Sequence, residues 1–380
     1  MPIKKKLRKR RAVSPRAYAL FFALFTTLVF VSHARFLDVP FFWDEVGQFV
    51  PAALDLYHSG ALAPRSVTPN AHPPGVMLYL AAVWAIFGYS VVSTRAAMLL
   101  LAAVGVLLVF LLAIKLCREV KGAPAFFVAL LLCASPVFYA QAMLAQLDMP
   151  AMVFTVLAVL LFLEEQMFLA AVACSALVLV KETGVVTPLL FGCWVLVEKR
   201  FLQAAYFVLP LAALGAWFLF LRYETGHFFG SSAFTAYNLE YMMHPVRSAF
   251  ALGKRLYYLG WENLHWIGAF GVLYAAVHGE VFAGRAWRIV WTLVALHILL
   301  FSLLGGAMLE RYLLPVLPMV YIGMIAGWSA MPSYWRTVGP VALILAAAAC
   351  NFWNPPYPFP LENNLAFIDF VRLQQTAASY

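Results

Sequence analysis

Long apolar runs recur along this chain almost to its end, and that recurrence restricts the fold more than any motif does. They fall at about 17–36, 91–114, 124–141, 149–163, 167–180, 184–197, 201–221, 264–277, 287–306, 311–329 and 337–353. A helix needs about 20 apolar residues to cross a hydrocarbon core of about 30 Å, so the shorter runs must borrow flanking residues. Composition agrees: 64% of the 380 residues are hydrophobic, only 11% are charged, and the mean hydropathy is +0.85. Soluble domains carry about 25% charged residues, so lipid must be the main solvent here. Intrinsic disorder, a collagen-like repeat and a small disulfide scaffold are excluded by the same figures. The expected fold is an all-α polytopic membrane protein with about 11 transmembrane helices and juxtamembrane amphipathic helices in the first external loop.

The net charge of +9 does not indicate nucleic-acid binding. Eight of the 26 Lys and Arg residues lie in the segment 1–16, directly before the first apolar run. Such a cluster holds a terminus in the cytoplasm. The residues after this run make a poor small-residue cleavage site and many further spans follow, so the first helix is expected to stay. The five cysteines sit mostly inside apolar runs without metal-ligand spacing and read as small core residues.

A further run, 75–87, decides the topology. The basic-residue totals come out equal whether it spans or lies at the interface. The short loops break the tie: Lys115, Arg118 and Lys121, and then Lys199 and Arg200, sit hard against helix ends, where the inside bias is strongest. The run is therefore read as interfacial. The first external loop 38–90, the Gln146–Asp148 turn, Lys181-Glu182, the loop 222–263, Glu310-Arg311 and a tail 354–380 then share one outer face. The transmembrane domain is 17–353, with its active site expected on the external face of the inner membrane. Rare charges at the ends of apolar helices are functional candidates.

Several clusters lie on that face. From Asp44 to Tyr57, Val46, Phe49, Val50, Ala53, Leu54 and Tyr57 follow helical spacing and form an apolar stripe. Asp44, Gln48 and Asp55 project from the opposite side, which predicts a helix along the membrane surface with Asp44 suited to its N-cap. His72-Pro73-Pro74-Gly75 predicts a rigid bend followed by a helix start. Asp148 opens one span, Lys181-Glu182 makes a tight turn between two others, and Glu310-Arg311-Tyr312 begins a fourth.

Trp43-Asp44-Glu45 in the first outer loop resembles the Asp-Glu motif of the GT-C membrane glycosyltransferases. The turn 181–184 and Arg311-Tyr-Leu-Leu-Pro-Val-Leu-Pro318 resemble segments of the bacterial branch that holds protein O-mannosyltransferases and lipid A aminoarabinose transferases. Tyr237-Asn238, the segment 244–247 and the tail from Asn363 to Gln375 resemble one bacterial subfamily of that branch. Two features depart from the pattern: His72 stands where many relatives have lysine, and many relatives continue past this point into an external soluble domain, of which 354–380 would be the start.

The resemblance implies transfer of a sugar from a polyprenyl-phosphate carrier to an external acceptor, with inversion. It assigns Asp44 as general base with Glu45 beside it. It makes Lys181, Arg311, His72 and Arg65 the donor-phosphate candidates, with Gln48, Asp55, Asp148, Glu182 and Tyr312 lining the substrate vestibule. The acceptor is a glycolipid, a polysaccharide or a protein, and membrane lipids surround the chain. No cofactor is required by the sequence; some relatives bind a divalent metal near the donor, and the metal stays open. The alternative is a transporter or lipid-carrier flippase, which would explain the spans equally well. Transporters usually carry internal repeats and midplane charges, and neither is found here.

Overall fold

The computed structural model describes residues 15–118, 120, 124–241, 244–304, 306–353 and 362–379. The basic residues 1–14, Lys121 and the stretch 354–361 lie outside the described residues. Every regular element among the described residues is helical. Among the described residues four helices are long and apolar enough to cross a membrane, Pro15–Phe36, Val91–Leu116, Phe201–Thr225 and Arg285–Leu303, and eight shorter apolar helices accompany them. The longest, Val91–Leu116, has 26 residues, or about 39 Å at 1.5 Å per residue. Helix Gly75–Phe87 has 13 residues and is about 20 Å long, which is short of a hydrocarbon core.

The expected runs break where proline or polar groups interrupt them. The run 124–141 divides at Ser135, because Pro136 has no N–H to continue the ladder. Ser135 uses the break to accept a hydrogen bond from the Tyr321 hydroxyl at 2.7 Å. The run 201–221 divides at Phe207, shortly before Pro210. The run 311–329 begins as a 3-10 turn, Glu310–Leu313, and becomes α-helical only at Leu317.

The largest correction concerns Asp44–Tyr57. Residues Glu45–Phe49 form a π-turn before the α-helix Val50–Ser59. The wider turn shifts the register, so Phe49, Val50 and Ala53 are buried while Val46 is more than half exposed. Asp44 makes no N-cap hydrogen bond.

At the end of the molecule away from these loops, exposed ion pairs tie the short connections together. Lys115 meets Glu164 at 2.8 Å, and Arg200 and Arg285 both bridge Glu165 and Glu198. The basic loops that sequence reading placed on one side therefore gather at one end.

Candidate active site

Close approach of two segments builds the site. A Cβ on Gly75 would stand 2.5 Å from the carbonyl oxygen of Leu179, so only glycine lets the Pro73-Pro74 bend rest against the end of helix Met167–Val180. That contact brings His72 to the Lys181 turn, where its Nδ1 lies 2.9 Å from Glu182 Oε2. Burial works to raise the Glu182 carboxyl, but the His72 and Lys181 charges outweigh it and hold the group below its usual range.

Arg311 is the hub. Its Nη2 donates to Asp44 Oδ2, and its Nη1 donates to Gln146 Oε1 and stands 2.7 Å from Glu362 Oε2. Its Nε lies 3.7 Å from Asp148 Oδ2. Asp148 in turn accepts from Lys181 Nζ at 2.5 Å, and that ammonium sits 4.6 Å from the centre of the Tyr312 ring. Lys181, Asp148 and Arg311 are all buried, whereas the Asp44 side chain keeps 35% of its surface exposed. Asp44 is thus the carboxylate of this cluster most open to an incoming substrate.

Two cavities meet at this cluster. One, of about 270 Å³, is walled by Leu214, Phe218, Phe229, Leu300, Phe301 and Leu304 and floored by Lys181 and Asp148. The other, of about 580 Å³, is lined by Trp43, Gln48, Thr68, Asn70, Tyr237 and Glu362 among others. Asp44, His72, Phe234, Asn238, Arg311 and Tyr312 line both. The first suits hydrocarbon, and the second suits a hydrated ligand.

Backbone strain marks the same place. Trp43 has φ 51°, a left-handed conformation that costs a bulky residue on the order of 1–3 kcal/mol and concentrates at functional sites. The network around Glu45 holds it. Glu45 accepts from Arg95 Nη1 at 2.5 Å and Nη2 at 2.9 Å, from Ala145 N at 2.6 Å and from Phe42 N at 3.0 Å. Both side chains are fully buried. Glu45, expected to be catalytic, lines neither of these cavities; its oxygens are saturated and it fixes the turn that presents Asp44.

The structure brings together Asp44, His72, Asp148, Lys181, Glu182, Arg311 and Tyr312, with Gln48 on the rim, where its Nε2 donates to Thr68 O at 3.3 Å. It does not bring in Arg65 or Asp55. Asp55 accepts from the backbone N–H groups of Arg65 and Ser66, each at 2.7 Å, and the pair closes an outlying loop. Arg95, Gln146 and Glu362 were missing from the expected site. The signal for Arg95 was a lone charge inside a long apolar helix. Glu362 gave no local signal.

Among the described residues no three His, Cys, Asp or Glu side chains gather as a metal site. Asp44, Asp148 and Glu362, which line the cavities, are each paired with Arg311 or Lys181.

No protein-family model matches the chain, and no curated protein matches it significantly. Solved structures do. The ArnT of Cupriavidus metallidurans bound to undecaprenyl phosphate superposes with a TM-score of 0.63 at 19% identity, covering 95% of this chain and 70% of that one. The same ArnT in its apo state gives 0.63 at 18% identity, covering 94% and 67%. An Archaeoglobus fulgidus oligosaccharyltransferase in complex with Zn and sulfate gives 0.54 at 16% identity, covering 87% and 52%. The chain shares the fold of these solved structures, and the motif resemblance agrees with that likeness.

Proposed function

We propose that the chain is a multi-pass membrane glycosyltransferase that moves a sugar from a polyprenyl-phosphate carrier to an acceptor hydroxyl or amine, with inversion. One observation carries this reading: a half-open carboxylate, Asp44, and two buried cations, Arg311 and Lys181, stand where an apolar cavity meets a polar one. The likeness in fold to a protein solved with undecaprenyl phosphate supports it.

The polyprenyl chain enters the cavity walled by Leu214, Phe218 and Leu300, and its phosphate lies toward Lys181 and Arg311. The acceptor enters the polar cavity past Gln48 and Asn70. As the acceptor oxygen or nitrogen attacks the anomeric carbon, Asp44 takes its proton. The bond from that carbon to the phosphate oxygen breaks on the opposite side. The charge left on the lipid phosphate meets Lys181 and Arg311, which are already in place and desolvated, so no strong acid is required. We place this chemistry on the external face of the inner membrane, with the N-terminus in the cytoplasm. A glycolipid, a polysaccharide or a protein serves as acceptor.

The test compares wild-type and Asp44→Asn membranes supplied with labelled polyprenyl-phosphate sugars. A general base contributes roughly 10²–10⁴-fold, so transfer should fall by that factor while the protein accumulates normally. Undiminished transfer by Asp44→Asn removes the assigned base. Movement of intact carrier across the bilayer without cleavage favours a flippase.

A further inference from the structure

One carboxylate in the cluster has no part in the chemistry above. Glu362 belongs to the C-terminal segment, yet it is buried against Arg311, with Oε2 at 2.7 Å from Nη1. Its Oε1 accepts from Gln146 Nε2 at 2.5 Å, and its backbone carbonyl accepts from Gln141 Nε2 at 2.9 Å. Just beyond it, helix Ala366–Ala378 seats on the first outer loop, Phe367 stacking on Phe42 with ring centres 5.6 Å apart.

The charges around Arg311 do not favour a phosphate as they stand. Once Glu362 ionises, Arg311 and Lys181 are opposed by Asp44, Asp148 and Glu362, two positive charges against three negative. A phosphate gains Arg311 only when one carboxylate gives way. Asp148 is bound to Lys181, and Asp44 must remain to accept a proton. Glu362 is the carboxylate left to yield. Resting on the donor reading above, we propose that Glu362 is a positioning residue that stands in for the donor phosphate, holding Arg311 until the carrier phosphate displaces it.

Titration supports the exchange. Burial pushes the Glu362 carboxyl up, Asp44 and Glu45 add to this, and Arg311 does not offset them, so the group titrates at about 8. The groups facing it are Arg311 from the turn Glu310–Leu313, Asp44 and Glu45 from the first outer loop, and the neutral Gln141 and Gln146; Asp148 and Lys181 lie beyond Arg311. A protonated carboxyl releases the guanidinium more readily than a carboxylate. Phosphate binding therefore weakens as pH rises past about 8, approaching roughly tenfold per unit.

Full-length protein in nanodiscs is titrated with undecaprenyl phosphate at pH 7 and pH 9, with binding read by native mass spectrometry. Wild-type affinity should fall roughly tenfold between the two, while Glu362→Gln changes less than about threefold and at pH 9 binds about tenfold tighter than wild type. Glu362→Asp should restore the pH dependence. A Glu362→Gln protein that loses affinity as steeply as wild type, or binds more weakly at pH 9, overturns the proposal. So does a flat wild-type profile, which decides the matter even where Glu362→Gln does not fold. Folded wild type that binds undecaprenyl phosphate at neither pH instead overturns the donor reading itself.

Discussion

Glu45→Gln separates a residue that shapes the site from one that does its chemistry. Each Glu45 oxygen accepts two hydrogen bonds, one from Arg95 and one from a backbone N–H. Whichever oxygen becomes an NH2 group, two donors then face a donor, and Arg95 loses its carboxylate partner in a wholly buried position. Breaking a buried pair from one side costs about 3–5 kcal/mol. With an unfolding entropy on the order of 2.1 cal/mol/K per residue over 380 residues, that is a fall of roughly 4–6 °C in Tm. Arg95 also donates to the carbonyls of Val39, Pro40 and Met143, so Arg95→Met should destabilise by a similar amount. Thermal unfolding of the purified protein in detergent measures the loss, and the transfer assay measures activity beside it. Asp44→Asn supplies the contrast: activity falls with a Tm change under about 2 °C. If Glu45→Gln abolishes transfer while leaving Tm unmoved, Glu45 acts on substrate and the assignment of a shaping role fails.

Arg311→Lys should lower kcat/KM about 100-fold, because one ammonium cannot serve Asp44 and the Gln146–Glu362 pair together; steady-state kinetics with the labelled donor checks this. Hydrogen bonds from Arg285, with smaller help from Arg200 and Trp194, bring the Glu198 carboxyl down to about 2. A depressed carboxyl stabilises the fold above its unfolded value near 4.5 and loses that contribution as pH falls through about 2. Tm followed from pH 5 down to pH 2 should therefore fall less steeply in Glu198→Gln than in wild type, by a modest amount because the group is largely solvated.

Much of the helical order is legible in the chain because lipid-facing helices must be continuously apolar. Asp148–Leu163 and Met167–Val180 end within a residue of their apolar runs. The Lys181 turn and the Arg311 turn were legible too, since a charge beside such a run is rare enough to stand out. What escaped were contacts between distant segments. Nothing near Glu45 announces that Arg95, 50 residues on, will neutralise it, and in sequence the acid beside Asp44 reads as part of the catalytic pair. The π-turn Glu45–Phe49 is set by that anchoring and not by local propensity, so a 3.6-residue periodicity misplaces Val46. Glu362 meets Gln141 across 221 residues, a pairing that only the packed helices create.

The wall shared by the two cavities has a consequence for turnover. On the transferase reading, the carrier phosphate and the newly glycosylated acceptor end the reaction on opposite sides of Asp44 and Arg311, one among Leu214, Phe218 and Leu300, the other beside Gln48 and Asn70. Each product then has its own exit, back into the bilayer or out into water. Neither needs to clear the path of the other, and a fresh carrier can dock while the extended acceptor is still leaving.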